Sequence, residues 1–256
     1  MKSIWKGRLG FGLVGMEVKL YKAVDQAETE FHLMHQDCGG GRIKYLYQCQ
    51  KCQAQIAERG QLKKGYEYSK DQYIILEQGD LERLPLKTLH QIEVIGFVEG
   101  PVDPRALETA YYLAPDKGNE KPFGLLYQAM QRLNVKAIGK LAYREREHLC
   151  LVQPFDGVLL VQTLCYADEI RPYDEIKPNT ATLSEKEIGL GEALVKEMVM
   201  VFDHATFKDE YREALEKLIE AKVEGKELAP VAVSEATSGG DLVSQLLASL
   251  KNGVGG

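Results

Sequence analysis

Residues 109–146 read TAYYLAPDKGNEKPFGLLYQAMQRLNVKAIGKLAYRER, and a change of hydrophobic period inside them decides the fold. Tyr111, Tyr112 and Leu113 have the character of a buried strand end. Pro115-Asp116-Lys117-Gly118 carries turn chemistry. Pro122 suits a first helical turn; Leu125, Leu126, Ala129, Met130 and Leu133 then share one face at helical spacing, and Asn134 is a stop. From Val135 the period becomes two, which predicts a second strand.

In that strand Val135, Ala137, Gly139, Leu141 and Tyr143 point one way, while Lys136, Ile138, Lys140, Ala142, Arg144 and Arg146 point the other. If the strand stays regular through Arg146, Glu145 and Glu147 fall on the face away from the bases. The cations then form a rail with roughly 7 to 13 Å between successive charges, at about 3.3 Å per residue. Such a rail suits polyphosphate, because neutralising phosphates releases condensed counterions. An ordinary solvated sheet face has the same spacing.

The upstream sequence supplies more strands. Between residues 4 and 21, Trp5, Leu9, Phe11 and Leu13 alternate with Lys6 and Arg8, and Val18 and Leu20 resume after Gly15-Met16, which reads as the turn of a strand pair. Further strands are expected at Tyr73–Leu76, Ile92–Val98, His148–Val152 and Val158–Leu164, the last two joined by a turn at Asp156-Gly157. Several short strands with one or two embedded helices indicate a mixed α+β protein built on a barrel or a strongly curved sheet.

Beyond Pro178 the pattern turns helical. Ser184-Glu-Lys-Glu187 is a capping box that opens a helix with Leu190, Leu194, Met198 and Val201 on one stripe. Tyr211, Leu215, Leu218 and Ile219 mark a second helix, ended near Gly225. A stretch of small residues and proline from Ala229 to Gly240 reads as a linker. Asp241 then caps a last helix, whose stripe of Leu242, Val243, Leu246, Leu247 and Leu250 suits docking on a partner or folding back on its own core.

The net charge of −6 is misleading for a polyanion binder until it is dissected. Residues 1–180 carry 24 basic and 24 acidic side chains, whereas residues 181–256 carry 8 and 14. The stretch 121–144 holds Lys121, Arg132, Lys136, Lys140 and Arg144 without an acid, and 42–70 is enriched in bases such as Arg42, Lys44, Lys63 and Lys64. Binding needs a local field, not a basic total. No apolar stretch is long enough for a membrane span, and MKSIWKGRLGFG lacks a signal-peptide layout, so a cytoplasmic protein without membrane partners is expected.

Five cysteines, two of them in a Cys-x-x-Cys pair, argue for reduced thiols or metal over a disulfide framework. His35, Cys38, Cys49 and Cys52 have zinc-ribbon-like spacing; a metal held by all four would be structural, since no ligand position stays open. Cys150 and Cys165 fall in apolar strand patterns and read as buried free thiols. No nucleotide-cradling loop is present: Gly10-Phe-Gly12 lacks the following helix a dinucleotide site needs. No catalytic constellation can be picked out, so binding without catalysis is the expectation.

With these residues in view, the chain resembles the bacterial Ku proteins of non-homologous end joining. The resemblance rests on IWKGRLGFGLVGMEVKLY, GGRIKYLYQCQKC, KGYEY, TAYYLAPDKG, AIGKLAYREREHL, TLCYADEIRP, FKDEYREALEKLIEAK and DLVSQLLASL, in order along nearly the whole chain. It implies a β-barrel core with a bridging segment and a C-terminal helical arm, assembled as a ring-shaped homodimer that threads onto double-stranded DNA ends. It also implies recruitment of an ATP-dependent end-joining DNA ligase, and a nucleoid-associated location in the cytoplasm.

Carried onto this chain, the resemblance makes 1–180 barrel and bridge, 181–228 the dimerisation arm, 229–240 a linker and 241–256 the ligase-contacting segment. Arg42, Lys44, Lys63, Lys64, Arg132, Lys136, Lys140, Arg144 and Arg146 become the candidate DNA contacts. No cofactor is required on this reading, and zinc at His35, Cys38, Cys49 and Cys52 would serve structure only. Glu17 departs from the proline common in the family at its place. The chain ends at Lys251-Asn-Gly-Val-Gly-Gly, without the lysine-rich extension of some relatives. Two other readings compete: a lyase at abasic sites near ends, using a lysine nucleophile, and a zinc-ribbon binder of RNA or single strands, using tyrosines as stacking platforms.

Overall fold

Gly12, with φ of +56°, turns the chain back on itself between β1 (Trp5–Phe11) and β2 (Val14–Lys22). The turn therefore lies at Gly12-Leu13, not at Gly15-Met16 as the glycine spacing suggests. The left-handed backbone at its first position favours glycine, and Leu13 stands fully exposed at the tip. The computed structural model describes residues 1–25, 29–77, 79–80, 91–144, 146–178, 183–226 and 242–252. It divides into two units, Met1–Pro172 and Tyr173–Gly256, a division that falls before residue 180.

In the first unit, three two-stranded ladders follow the opening hairpin. They are β3 (Met34–His35) with β4 (Gly41–Arg42), β5 (Tyr47–Gln48) with β6 (Gln55–Ile56), and β7 (Lys64–Ser69) with β8 (Gln72–Leu76). Arg42 and Tyr47, five residues apart, thus belong to different ladders. The barrel resumes with β9 (Gln91–Val98) and β10 (Leu107–Pro115), followed by helix α1 (Glu120–Leu133), β11 (Lys136–Tyr143), β12 (Arg146–Phe155) and β13 (Val158–Leu164).

Seven strands close in the order β1-β2-β10-β13-β12-β11-β9, with the parallel contact of β1 and β9 as the seam. Closure leaves none of the seven with a bare edge. Asp156 and Gly157, both at positive φ, make the expected β12–β13 turn.

Alternation sets what is inside. Leu9, Met16, Val18, Leu20, Ile92, Leu113, Ala137, Leu141, Val152, Leu159 and Val161 fill one core. Helix α1 lies against β2, β10 and β12 and adds Phe123, Leu126 and Met130 to that core. This stripe differs from the expected one: Leu125 and Leu133 are 62% and 70% exposed. Phe123 takes the buried position because the helix packs through its i, i+3, i+7 face. Asn134 ends the helix in the left-handed conformation (φ 52°), as its sequence role predicts.

Cys150 belongs to the barrel core, and burial pushes its thiol up to about 12. Cys165 is only half-buried. A smaller apolar cluster of Ala106, Leu151 and Leu164, with Ile138 and Ile170 against it, covers part of the outer wall.

In the second unit, Ser184 and Glu187 form the expected capping box of α2 (Glu185–Glu197), and Glu187 is held below the usual carboxylate range by its bonds from Ser184. The helix stops before Met198 and Val201, which are exposed instead of continuing its stripe. Helix α3 (Glu210–Val223) ends at Gly225 in left-handed conformation, as expected. The final helix, α4 (Leu242–Asn252), contacts α2. The linker expected at 229–240 lies outside the described residues. Among the described residues no helix is long and apolar enough to cross a membrane.

Candidate nucleic-acid interface

The basic wall is the outer face of β11 and its neighbours. On β11, Ala137, Gly139 and Leu141 are buried inside, so Lys136 and Lys140 point outward, as their parity requires. Ile138 between them faces outward too, but packs against the smaller apolar cluster. Lys136 donates from Nζ to the Gly100 carbonyl at 3.3 Å.

Arg144 and Arg146 depart from the rail. The chain turns at Arg144 (φ 52°) and returns, so that Tyr143 pairs with Arg146 and Ala142 with Glu147. A two-residue reversal resets strand parity. Arg146 therefore sits in the register of the interior-facing residues, at the exposed end of its strand, and Arg144 leaves the strand to lie 5.1 Å from the Tyr143 ring centroid. The same reversal puts Glu147 on the face of the bases, where its Oε1 lies 2.7 Å from Lys140 Nζ. That carboxylate raises the Lys140 pKa above its ordinary value. The expectation that Glu147 faces away from the bases is thus overturned, while Glu145 lies outside the described residues.

The other candidate cations are spread over several elements. Arg132 is exposed in the last turn of α1. Arg42 lines a cavity of about 390 Å³ with Phe31, His32 and Tyr45, and Lys44 is exposed just beyond it. Lys63 is ion-paired with Glu77, and Lys64 opens β7 opposite Leu76. The wall also holds a cation that the sequence reading left out of the site. Arg8 points outward from β1, beside Gln91 of β9, which in turn runs beside β11. Alternation shows Arg8 to be polar-facing; only the β1–β9 seam shows that it stands near the rail.

An anchor for the 116–119 loop sits on the same barrel. Asp116 is 2.6 Å from both Lys6 and Lys19, and Lys19, Lys6 and the Lys117 N–H together hold its carboxyl well below the usual range. The Glu17 N–H donates to Asn119 Oδ1 at 3.0 Å, so Glu17 serves this loop through its backbone.

The zinc-ribbon-like residues form two turns. Gly39 and Gly40, both at positive φ, close the hairpin that carries His35 and Cys38, and the Cys38 thiol donates to the His35 carbonyl at 3.6 Å. At the second turn the Gln53 N–H donates to the Cys49 carbonyl. There the Cys52 N–H, the Cys52 thiol and the Lys51 N–H lower the pKa of Cys49. Among the described residues no three His, Cys, Asp or Glu side chains are placed to hold one metal ion. As placed, the four do not fit a closed tetrahedral site.

In α4, Val243 and Leu246 are half-buried and Leu247 is 41% exposed. Leu242 and Leu250 belong to the helix, but their side chains lie outside the described set. The helix contacts α2 of the same unit.

Comparison with known proteins matches residues 10–190 to the family model for the Ku70/Ku80 β-barrel domain. A protein of Archaeoglobus fulgidus named non-homologous end joining protein Ku is 40% identical over 98% of this chain and 97% of its own length. Proteins of the same name from Desulfitobacterium hafniense and Symbiobacterium thermophilum are 33% and 34% identical, each over 98% of this chain, and over 87% and 63% of their own lengths. A barrel closed by seven strands, a family model that matches more than half of the residues and relatives aligned nearly end to end agree: this chain belongs to the Ku β-barrel family.

Proposed function

We propose that the protein binds double-stranded DNA ends without reading their sequence, as a ring-shaped homodimer in non-homologous end joining, and recruits an ATP-dependent DNA ligase. The observation that carries the DNA reading is the outward pair Lys136 and Lys140 on a rigid strand of a closed barrel, in a chain whose relatives are named for end joining. Lysines on a sheet wall offer charge to phosphates but no fork or inserted helix to read base edges. Several such contacts give affinity that falls steeply with salt and lets protein slide along the duplex.

The homodimer is supported by apolar surface in the second unit. Val199, Met200, Val201 and Phe202 are 74%, 62%, 91% and 64% exposed, a run that a lone soluble chain leaves bare only at a cost in solubility. Ligase recruitment through α4 is the finer part of the proposal, and its support is the exposed Leu247 beside the half-buried Val243 and Leu246.

The test is retention on one duplex in linear and in covalently closed circular form, at equal salt and competitor. Binding confined to the linear form, and persisting after its ends are sealed, is the expected result. Equal binding to the closed circle would overturn the threaded ring and leave only an electrostatic groove.

A further inference from the structure

We propose that Arg8, laid across Gly15 beside the Gly12-Leu13 turn, forms a binding pocket for one phosphate of the DNA backbone. The inference rests on the DNA reading and adds to it a residue and a geometry. A cavity of about 330 Å³ opens on the outer wall at the β1–β9 seam, lined by Arg8, Gly10, Gly12, Gly15, Gln91 and Glu93 among others.

Its anion chemistry comes from Arg8. Arg8 stands directly opposite Glu17 in the β1–β2 register, yet makes no ion pair with it. Its guanidinium instead reaches diagonally toward the hairpin end and lies over Gly15, and among the described residues no carboxylate holds it. A planar, permanently charged fork without a carboxylate partner is suited to phosphate oxygens.

Gly15 is what permits this placement. A Cβ on Gly15 would overlap Nε, Nη2 and Cζ of Arg8, so any side chain there forces the guanidinium to move from its place over the turn. Gly10, facing the same wall, has nothing within 4 Å of its Cβ position, which keeps the approach open. Glu93 is the acid of the pocket. It pairs in register with Lys140, whose pKa it helps to raise, so a cation sits on its far side. Arg8 and Lys140 thus flank Glu93 on one continuous outer face, which adds a cation on β1 to those of β11.

The experiment compares wild type, Arg8→Gln and Gly15→Ala by fluorescence anisotropy on one duplex over a range of salt. Wild-type binding is the control for the DNA reading itself. With that in hand, each variant is expected to lose about 0.9 from the slope of log K against log salt, one phosphate contact. Gly15→Ala removes no charge, so a loss there reads position alone. Circular dichroism and size exclusion confirm that both variants keep the fold and assembly. A wild-type slope in Arg8→Gln would overturn the proposal, as would a wild-type slope in Gly15→Ala. Duplexes with 5′-phosphate and 5′-hydroxyl ends should show equal losses; a loss confined to 5′-phosphorylated ends would overturn the backbone assignment in favour of a terminal phosphate.

Discussion

Lys140 and Glu147 meet across the β11–β12 hairpin, Nζ to Oε1 at 2.7 Å, on the outer wall that the phosphate contacts are expected to use. The lysine side chain is 40% exposed and the glutamate 18%, so the pair is part-buried and solvent still screens it from the lysine side. Its consequence falls on binding, because a lysine already engaged by a carboxylate must exchange that partner for a phosphate.

Glu147→Gln should therefore release Lys140. Tighter duplex binding and a slope of log K against log salt steeper by up to about 0.9 are expected. Anisotropy titrations decide it, and unchanged binding would show that Lys140 contacts no phosphate.

Reversing both Lys136 and Lys140 to Glu should abolish duplex binding while the oligomeric state stays that of wild type. Both side chains are outside the core, but the reversal at 140 sets a carboxylate beside Glu93 and Glu147, so a thermal melt of the double variant accompanies the assay. Gel-shift assays with size exclusion in parallel test this. Wild-type affinity in the double variant would remove β11 from the interface.

Asp116 gives a pH signature. Its folded-state pKa is depressed by Lys19 and Lys6. The associated stability is present above the unfolded-state value, about 3.9, and is lost as pH falls toward the folded value. Asp116→Asn should melt lower than wild type at neutral pH, with the gap narrowing below about pH 4. Thermal melts across that range would show a constant gap if the two lysines contributed nothing through the charge.

Gly139→Ala tests the join between β9 and β11. An added Cβ would lie 2.6 Å from the Glu93 carbonyl oxygen, a backbone atom that cannot move alone. Overpacking of this kind costs about 1 to 3 kcal/mol. Chemical denaturation should show the loss, and a variant as stable as wild type would mean that the backbone, whose β9–β11 register shifts between Ile138 and Gly139, relaxes freely there.

Much of the barrel was legible because alternation is a local property: β10, β11 and β13 follow from residues such as Leu113, Leu141 and Val161. The capping box at Ser184 and the stop at Asn134 were equally local. What failed needed the path of the chain. Regular alternation puts Arg146 with Lys136, but a single turn at Arg144 inverts every later parity. Alternation shows Arg8 to be polar-facing but not that it neighbours the rail, since β1 and β9 pair across residues far apart in sequence. His35, Cys38, Cys49 and Cys52 show a further limit: their spacing is regular, but how the two turns that carry them stand to each other is a matter of chain path, which spacing does not contain.

The strand order of the barrel bears on how the chain is made. The last barrel strand to be synthesised, β13, is inserted between β10 and β12, and no earlier strand can fill that gap. A nascent chain that has not yet produced Val158–Leu164 carries a sheet with two unsatisfied edges at the positions where β10 and β12 await it. Such edges pair readily with other chains. The vulnerable interval of this protein's life is thus the time between translation of β10 and release of β13, and a stalled ribosome inside it would yield an aggregating species rather than a smaller working domain.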